Sequence, residues 1–207
     1  MFNEKDWPEL ANTRPYSKSK TLAERAAWNF INEKKKNNEP CFELAVINPG
    51  YIMGPLLHDS DCTSMEVIKK LLERQVPLLP NLNFCTCDVR DVATAHIRAM
   101  TFAEAANNRH IIASTEECNS MLDYALILDA EFRNKGYNIP TKVAPNIFVK
   151  FASVFDKSIA LITPMLGKKF RFENNRMKNV LQIEPIPLKK TIIDMANNMI
   201  EKGKIIN

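Results

Sequence analysis

From Leu44 to Ile47 the chain runs Leu-Ala-Val-Ile with no polar interruption, and Asn48-Pro49-Gly50 closes the run. A short apolar stretch ended by turn formers predicts a strand at 43–48 buried on both faces, as in a parallel sheet between helices. Runs at 84–89 and 109–114 predict two more strands. Elsewhere the spacing changes to three and four. Tyr16, Lys20, Ala23, Ala27 and Phe30 mark one face of a helix, and Lys18, Arg25, Asn29, Asn32 and Glu33 lie mostly on the other. Asn12 or Thr13 is placed to cap that helix, and Pro15 suits its first turn.

Further along, 64–75 predicts a helix with Met65, Ile68, Leu71 and Leu72 inward. A second helix follows from Asp91 as cap, and a third at 119–136 is stopped by Gly136. A short extended piece at 139–145 precedes helices at 146–156, 157–166, 174–182 and 188–202. Alternating strand and helix predicts an α/β fold with a parallel sheet, followed by a mainly helical carboxyl-terminal segment. No repeat or low-complexity linker interrupts it.

Composition narrows the function classes. The 207 residues carry 28 basic and 24 acidic side chains, a net charge of +4 spread along the chain. The densest run, Lys34-Lys35-Lys36, reads as a solvated helix end complementing the helix dipole. No aromatic residues interleave with it, so a nucleic-acid partner is not expected. No run approaches the ~18 apolar residues of a membrane span, and the acidic stretch "MFNEKDWPEL" lacks an apolar core, so a signal peptide is not expected there. Five cysteines and three scattered histidines (His58, His96 and His110) lack metal-ligand spacing, so no metal is expected. Cys85 and Cys87 would share one face of a strand as reduced thiols. A cytoplasmic protein is the expectation.

Candidate chemistry centres on Tyr16 and Lys20. A free phenol titrates near ~10 and is a sluggish acid or base at neutral pH. An ammonium one helical turn away favours the phenolate and brings the hydroxyl into use. Any amphipathic helix can supply a bare Tyr-x-x-x-Lys, so the pair gains weight only from its downstream company. Asn48-Pro49 sits at the carboxyl end of a strand, where ligands of open α/β sheets bind.

With "YSKSKTLAERAAW", "NPGYIMGP", "DVRDVATAHIRAM" and "FNEKDW" all present, the chain resembles the extended short-chain dehydrogenase/reductases. Within these it is most similar to the branch containing dihydroflavonol and cinnamoyl-CoA reductases. The resemblance runs from about Phe2 to the carboxyl terminus. It implies hydride transfer from NADP (NAD is the alternative) to a small carbonyl substrate, with Tyr16 as proton donor and Lys20 also on the nicotinamide ribose. It further implies that the backbone of Pro49, Gly50, Tyr51 and Ile52 lines the nicotinamide and that Ser64 contacts the cofactor. Ser64 read by itself is equally a helix cap. Asp91 and Arg90 read as a cap and an ion-pair partner, and His96 as a packed or surface residue. A homodimer through the catalytic helix is compatible with Trp28 and Phe30, which core packing also explains.

The family's glycine-rich turn and its serine have no counterpart in this chain. Only five glycines occur, none in a G-x-G-x-x-G pattern, and no serine precedes Ser17. The expectation is therefore a partial Rossmann-like sheet lacking its N-terminal half, carried by residues 1–136, with a mainly helical substrate lobe at 137–207. Parts of 50–85 would also reach the substrate side. By itself such a chain is expected to be poorly soluble and not to bind nicotinamide cofactor. Two other readings stay open: a non-catalytic remnant acting as partner or scaffold, and a sugar-nucleotide epimerase or dehydratase. Met53, Leu56, Leu57, Phe148 and Phe151, expected near the pocket, favour an apolar substrate over a nucleotide sugar.

Overall fold

Pro15, with its ring already holding a helical φ, opens helix α1 (Pro15–Lys36). The structure, a computed structural model, describes residues 1–57 and 62–205, so His58 lies outside the described residues. Arg14 is the N-cap of α1 and offers no side-chain bond. Thr13, expected there, turns its hydroxyl back to donate to Glu9 O at 2.6 Å. The predicted face of α1 also differs. Thr21 and Ile31 are buried and Glu24 and Trp28 half-buried, whereas Tyr16, Lys20, Ala23, Ala27 and Phe30 face solvent. Polar Glu24 points inward because Arg109 and Asn48 meet it there.

Strands β1 (Ala45–Pro49) and β2 (Tyr51–Met53) follow, then α2 (Thr63–Leu72), β3 (Asn83–Phe84) and β4 (Thr86–Asp88). After α3 (Val89–Thr101), β5 (Asn108–Ile112) and β6 (Asn119–Ser120) come α4 (Met121–Phe132), α5 (Asn146–Ala152), α6 (Lys157–Ile162), α7 (Asn175–Asn179) and α8 (Leu188–Glu201). β1 pairs in parallel with β5, Ala45 opposite Asn108, and β2 in parallel with β4, Tyr51 opposite Thr86. β3 and β6 pair antiparallel. The expected strand at 43–48 is half-buried rather than buried on both faces. Among the described residues β5 is its sole strand neighbour, so part of its apolar surface stays open.

Among the described residues two apolar cores hold these elements. The larger joins Ile68 and Leu71 of α2, Tyr124, Leu128 and Phe132 of α4, and Ile192 and Met195 of α8. It therefore draws on residues from both sides of position 136. The smaller gathers Cys87, Val92, Ile112, Met177 and Leu181. The four inward positions predicted in α2 are all buried. Gly136, at φ 96°, ends the turn after α4 in a left-handed conformation that glycine adopts without cost.

Helix α3 begins before its expected cap. Asp88, fully buried, is the N-cap and accepts from Arg90 N–H at 2.8 Å. Asp91 is instead a buried first-turn residue accepting from Ile186 N–H at 2.9 Å, and burial raises its carboxyl. Arg90 is an ion-pair partner as expected, 2.7 Å from Asp88 and 2.6 Å from Asp194. His96 lies at the surface with Nδ1 2.8 Å from Val92 O. Burial works to raise the Asp88 carboxyl, but the bonds from Arg90 and Thr191 outweigh it and hold it below the ordinary range.

A depressed native carboxyl stabilises the fold above the unfolded value and loses that contribution as pH falls through the native one. Asp88→Asn is expected to cost about 2 kcal/mol at neutral pH, the worth of hydrogen bonds to a charge. Urea unfolding at pH 7 and at pH 3 checks it, the difference between the two proteins shrinking at the lower pH.

Among the described residues no helix is long and apolar enough to cross a membrane. All five cysteines are free.

Candidate active site

At the end of β1 the chain changes neighbours within two residues. Gly50 N–H donates to Ile112 O of β5 at 3.0 Å, and Tyr51 N–H donates to Cys85 O at 2.5 Å. The approach is so close that a Cβ on Gly50 would sit 2.1 Å from that carbonyl oxygen. Glycine is needed at this position for space.

Asn48, Pro49 and Gly50 form one wall of a cavity of about 600 Å³. The aromatic residues Phe2, Trp7, Phe170 and Phe172 also line it, as does Ser17 from the first turn of α1. The N-terminal segment is pinned in place by Arg109 on β5. Its Nη1 donates to Glu4 O at 2.7 Å and Asp6 O at 2.8 Å, and its guanidinium lies 4.1 Å from the Trp7 ring centroid. Glu24 takes the other side of Arg109, Nε to Oε1 at 2.6 Å, and also accepts from Asn48 Nδ2 at 3.0 Å and Trp28 Nε1 at 3.1 Å. One half-buried ion pair thus ties α1, the N-terminal segment and the Asn48-Pro49 wall together. Sequence reading missed Glu24 and Arg109, because no local pattern links positions so far apart in the chain.

The predicted site residues do not all share this cavity. Tyr16 is 74% exposed on the first turn of α1. Lys20, one turn on, places Nζ 5.7 Å from the centroid of the Tyr16 ring, within the range of a cation–π contact. The pair stands outside the lining of the 600 Å³ cavity, which its neighbour Ser17 enters. Pro49 and Gly50 are in that lining. Tyr51 turns into the larger core, stacked on Phe84 at 4.9 Å with its hydroxyl donating to Thr63 O at 3.2 Å. Burial, with Cys62 and Glu66 nearby, pushes its phenol up to about 12.

Ile52 and Ser64 line a second cavity of about 200 Å³ with Met53, Leu56 and Leu57. Ser64 does not cap α2. Cys62 holds that position, its Sγ 3.4 Å from Ser64 Oγ. Phe148 and Phe151, expected near the pocket, are 65% and 68% exposed on α5 and line neither cavity. Among the described residues no group of three or more metal-ligating side chains occurs.

A parallel sheet whose strand ends in a glycine turn beside an open cavity defines an α/β protein of the Rossmann-like class. No protein-family profile matches the chain. The NADPH-dependent methylglyoxal reductase Gre2 of Saccharomyces cerevisiae is 31% identical over 218 residues, covering 99% of this chain and 58% of its own length. Cinnamoyl-CoA reductase 1 of Petunia hybrida is 30% identical over 203 residues, covering 98% of this chain and 50% of its own. The crystal structure of Gre2 from Candida albicans in complex with NADPH superposes with a TM-score of 0.70 at 30% identity, over 96% of this chain and 57% of that one. The chain belongs to the short-chain dehydrogenase/reductase, or NAD-dependent epimerase/dehydratase, superfamily. It spans about half the length of the curated relatives it matches.

Proposed function

We propose that this chain supplies the proton-donating part of an NADPH-dependent reductase acting on small aldehydes and ketones. The carrying observation is the Lys20 ammonium above the Tyr16 ring on the turn of α1 that borders the Pro49–Gly50 cavity. The residues present suit the nicotinamide end of such a cofactor. The backbone at Pro49 and Gly50 opens onto the cavity, and the exposed Tyr16 and Lys20 are free to turn toward a ligand at its rim.

When bound, the cofactor supplies hydride. Tyr16 Oη gives its proton to the substrate oxygen, and Lys20 stabilises the phenolate left behind. Lys20 would also hold ribose hydroxyls. The aromatic walls at Phe2, Trp7, Phe170 and Phe172 favour an apolar substituent on the carbonyl compound. The exposed Ala23, Ala27 and Phe30 leave a face of α1 for the homodimer that the resemblance implies. The larger core crosses position 136, so the proposed nucleotide-binding part at 1–136 and substrate lobe at 137–207 would move as one packed unit.

The test joins this chain to the part of the S. cerevisiae relative that it does not match and follows NADPH absorbance with a panel of aliphatic and aromatic aldehydes. Saturable NADPH consumption with at least one aldehyde is expected. NADPH binding without consumption across the panel would overturn the proposal.

A further inference from the structure

The antiparallel pairing of β3 with β6 has a neighbour just beyond its end. Asn83 stands opposite Ser120 and Phe84 opposite Asn119, so the next pair outward in this register is Cys85 and Cys118. Pairs along such a ladder alternate between hydrogen-bonded and non-hydrogen-bonded. Met121 N–H donates to Leu82 O at 2.9 Å, which makes 82 and 121 a bonded pair. Counting three positions on, 85 and 118 are a non-bonded pair. Their backbone groups agree with this count, because each turns outward. Cys85 O accepts from Tyr51 at 2.5 Å, and Cys118 N–H donates to Phe170 O at 3.3 Å.

At a non-bonded position the two Cα atoms lie about 4.5 Å apart with side chains on one face, inside the span that a disulfide bridges. We propose that Cys85 and Cys118 are a redox modification site, able to close into a reversible cross-strand disulfide at the wall of the 600 Å³ cavity. The remaining thiols stand elsewhere: Cys41 and Cys62 are exposed on other segments, and Cys87 is buried in β4.

The oxidant is a low-molecular-weight disulfide such as oxidised glutathione. Cys118 loses its proton and its thiolate attacks one sulfur of that disulfide, expelling one thiolate and forming a mixed disulfide. Cys85, deprotonated in turn, attacks the Cys118 sulfur and expels the second. Two protein thiols give up two electrons and two protons, and one small disulfide becomes two thiols. Burial pushes the Cys85 thiol up to about 12, with the neighbouring Cys118 charge adding to the rise, and burial raises Cys118 as well. Closure is therefore slow at neutral pH and faster in mild alkali.

The bond would join two walls of the cavity. Cys85 Sγ lies close against Gly50, where an added Cβ would come within 3.0 Å of it. The segment before Cys118 holds the aromatic side, since Phe172 N–H donates to Glu116 O at 2.8 Å.

The test incubates the folded chain with oxidised glutathione at pH 8.5, blocks residual thiols with iodoacetamide, and maps tryptic peptides by mass spectrometry. The predicted product links 75–90 to 110–133 in more than half of the molecules, with fragment ions placing the bond on Cys85 rather than Cys87. Dithiothreitol removes it, and Cys118→Ser lacks it. The same treatment in denaturing urea, where register is lost, spreads pairing over many combinations. Overturning results are Cys85 and Cys118 both recovered as alkylated thiols, a glutathione adduct on Cys118 that never resolves, linkage through Cys87, or the same yield of the link in urea.

Discussion

Gly50→Ala is expected to destabilise the fold by on the order of 4 kcal/mol, at the severe end of single substitutions. The added Cβ would lie 2.1 Å from Cys85 O and 3.0 Å from both Cys85 C and Sγ. A side chain in the way could rotate aside, but this obstacle is backbone, held by the bond from Tyr51 N–H. Relief would require β2 and β4 to part, and with them the adjoining cavity wall at Pro49 and Gly50. Gly136 is the control. Its left-handed φ of 96° is a cost for alanine, yet an added Cβ meets nothing within 4 Å, so the loss there is about 1 kcal/mol. Urea unfolding followed by circular dichroism compares the two. Equal midpoint shifts for both variants would refute the close approach at Gly50.

Much of this architecture is legible in the sequence, for identifiable reasons. The period of α2 exposed Met65, Ile68, Leu71 and Leu72 as its inward face, and they are buried. Gly136 announced the end of the turn after α4 through the one conformation that most residues avoid. Pro49-Gly50 marked the end of β1, where the cavity opens.

The rest was hidden where long-range partners override local pattern. In α1, hydrophobicity suggested the Tyr16–Phe30 face, but the face turned to the sheet carries Glu24. That carboxylate is worth burying because Arg109 and Asn48 meet it. The cap of α3 shifted to Asp88 for a similar reason. Thr191 and Arg90 converge on its carboxylate, and one sequence does not show that position 191 lies beside position 88. The half-buried state of β1 follows from having one strand neighbour among the described residues, which hydropathy does not encode. For the candidate site, Tyr16 and Lys20 were readable as a helical spacing. That Ile52 and Ser64 open onto a different cavity from Pro49 and Gly50 is a property of the folded chain, with no local signal in the sequence.

Tyr16→Phe isolates the hydroxyl. Phenylalanine keeps the ring over which Lys20 Nζ stands at 5.7 Å, and the side chain is 74% exposed, so folding should be unaffected. Under the proposed function, what the variant lacks is the proton that the substrate oxygen would take as hydride arrives. General acid catalysis by a positioned side chain contributes roughly 10²–10⁴-fold, and the rate should fall by that factor while NADPH affinity stays unchanged. The deciding measurement is therefore the rate of NADPH consumption with a small aldehyde, wild type beside Tyr16→Phe, in the polypeptide that joins this chain to the unmatched part of its yeast relative. Proton donation by Tyr16 predicts turnover that collapses by at least about a hundredfold in the variant at equal NADPH binding; equal rates in the two proteins would contradict it.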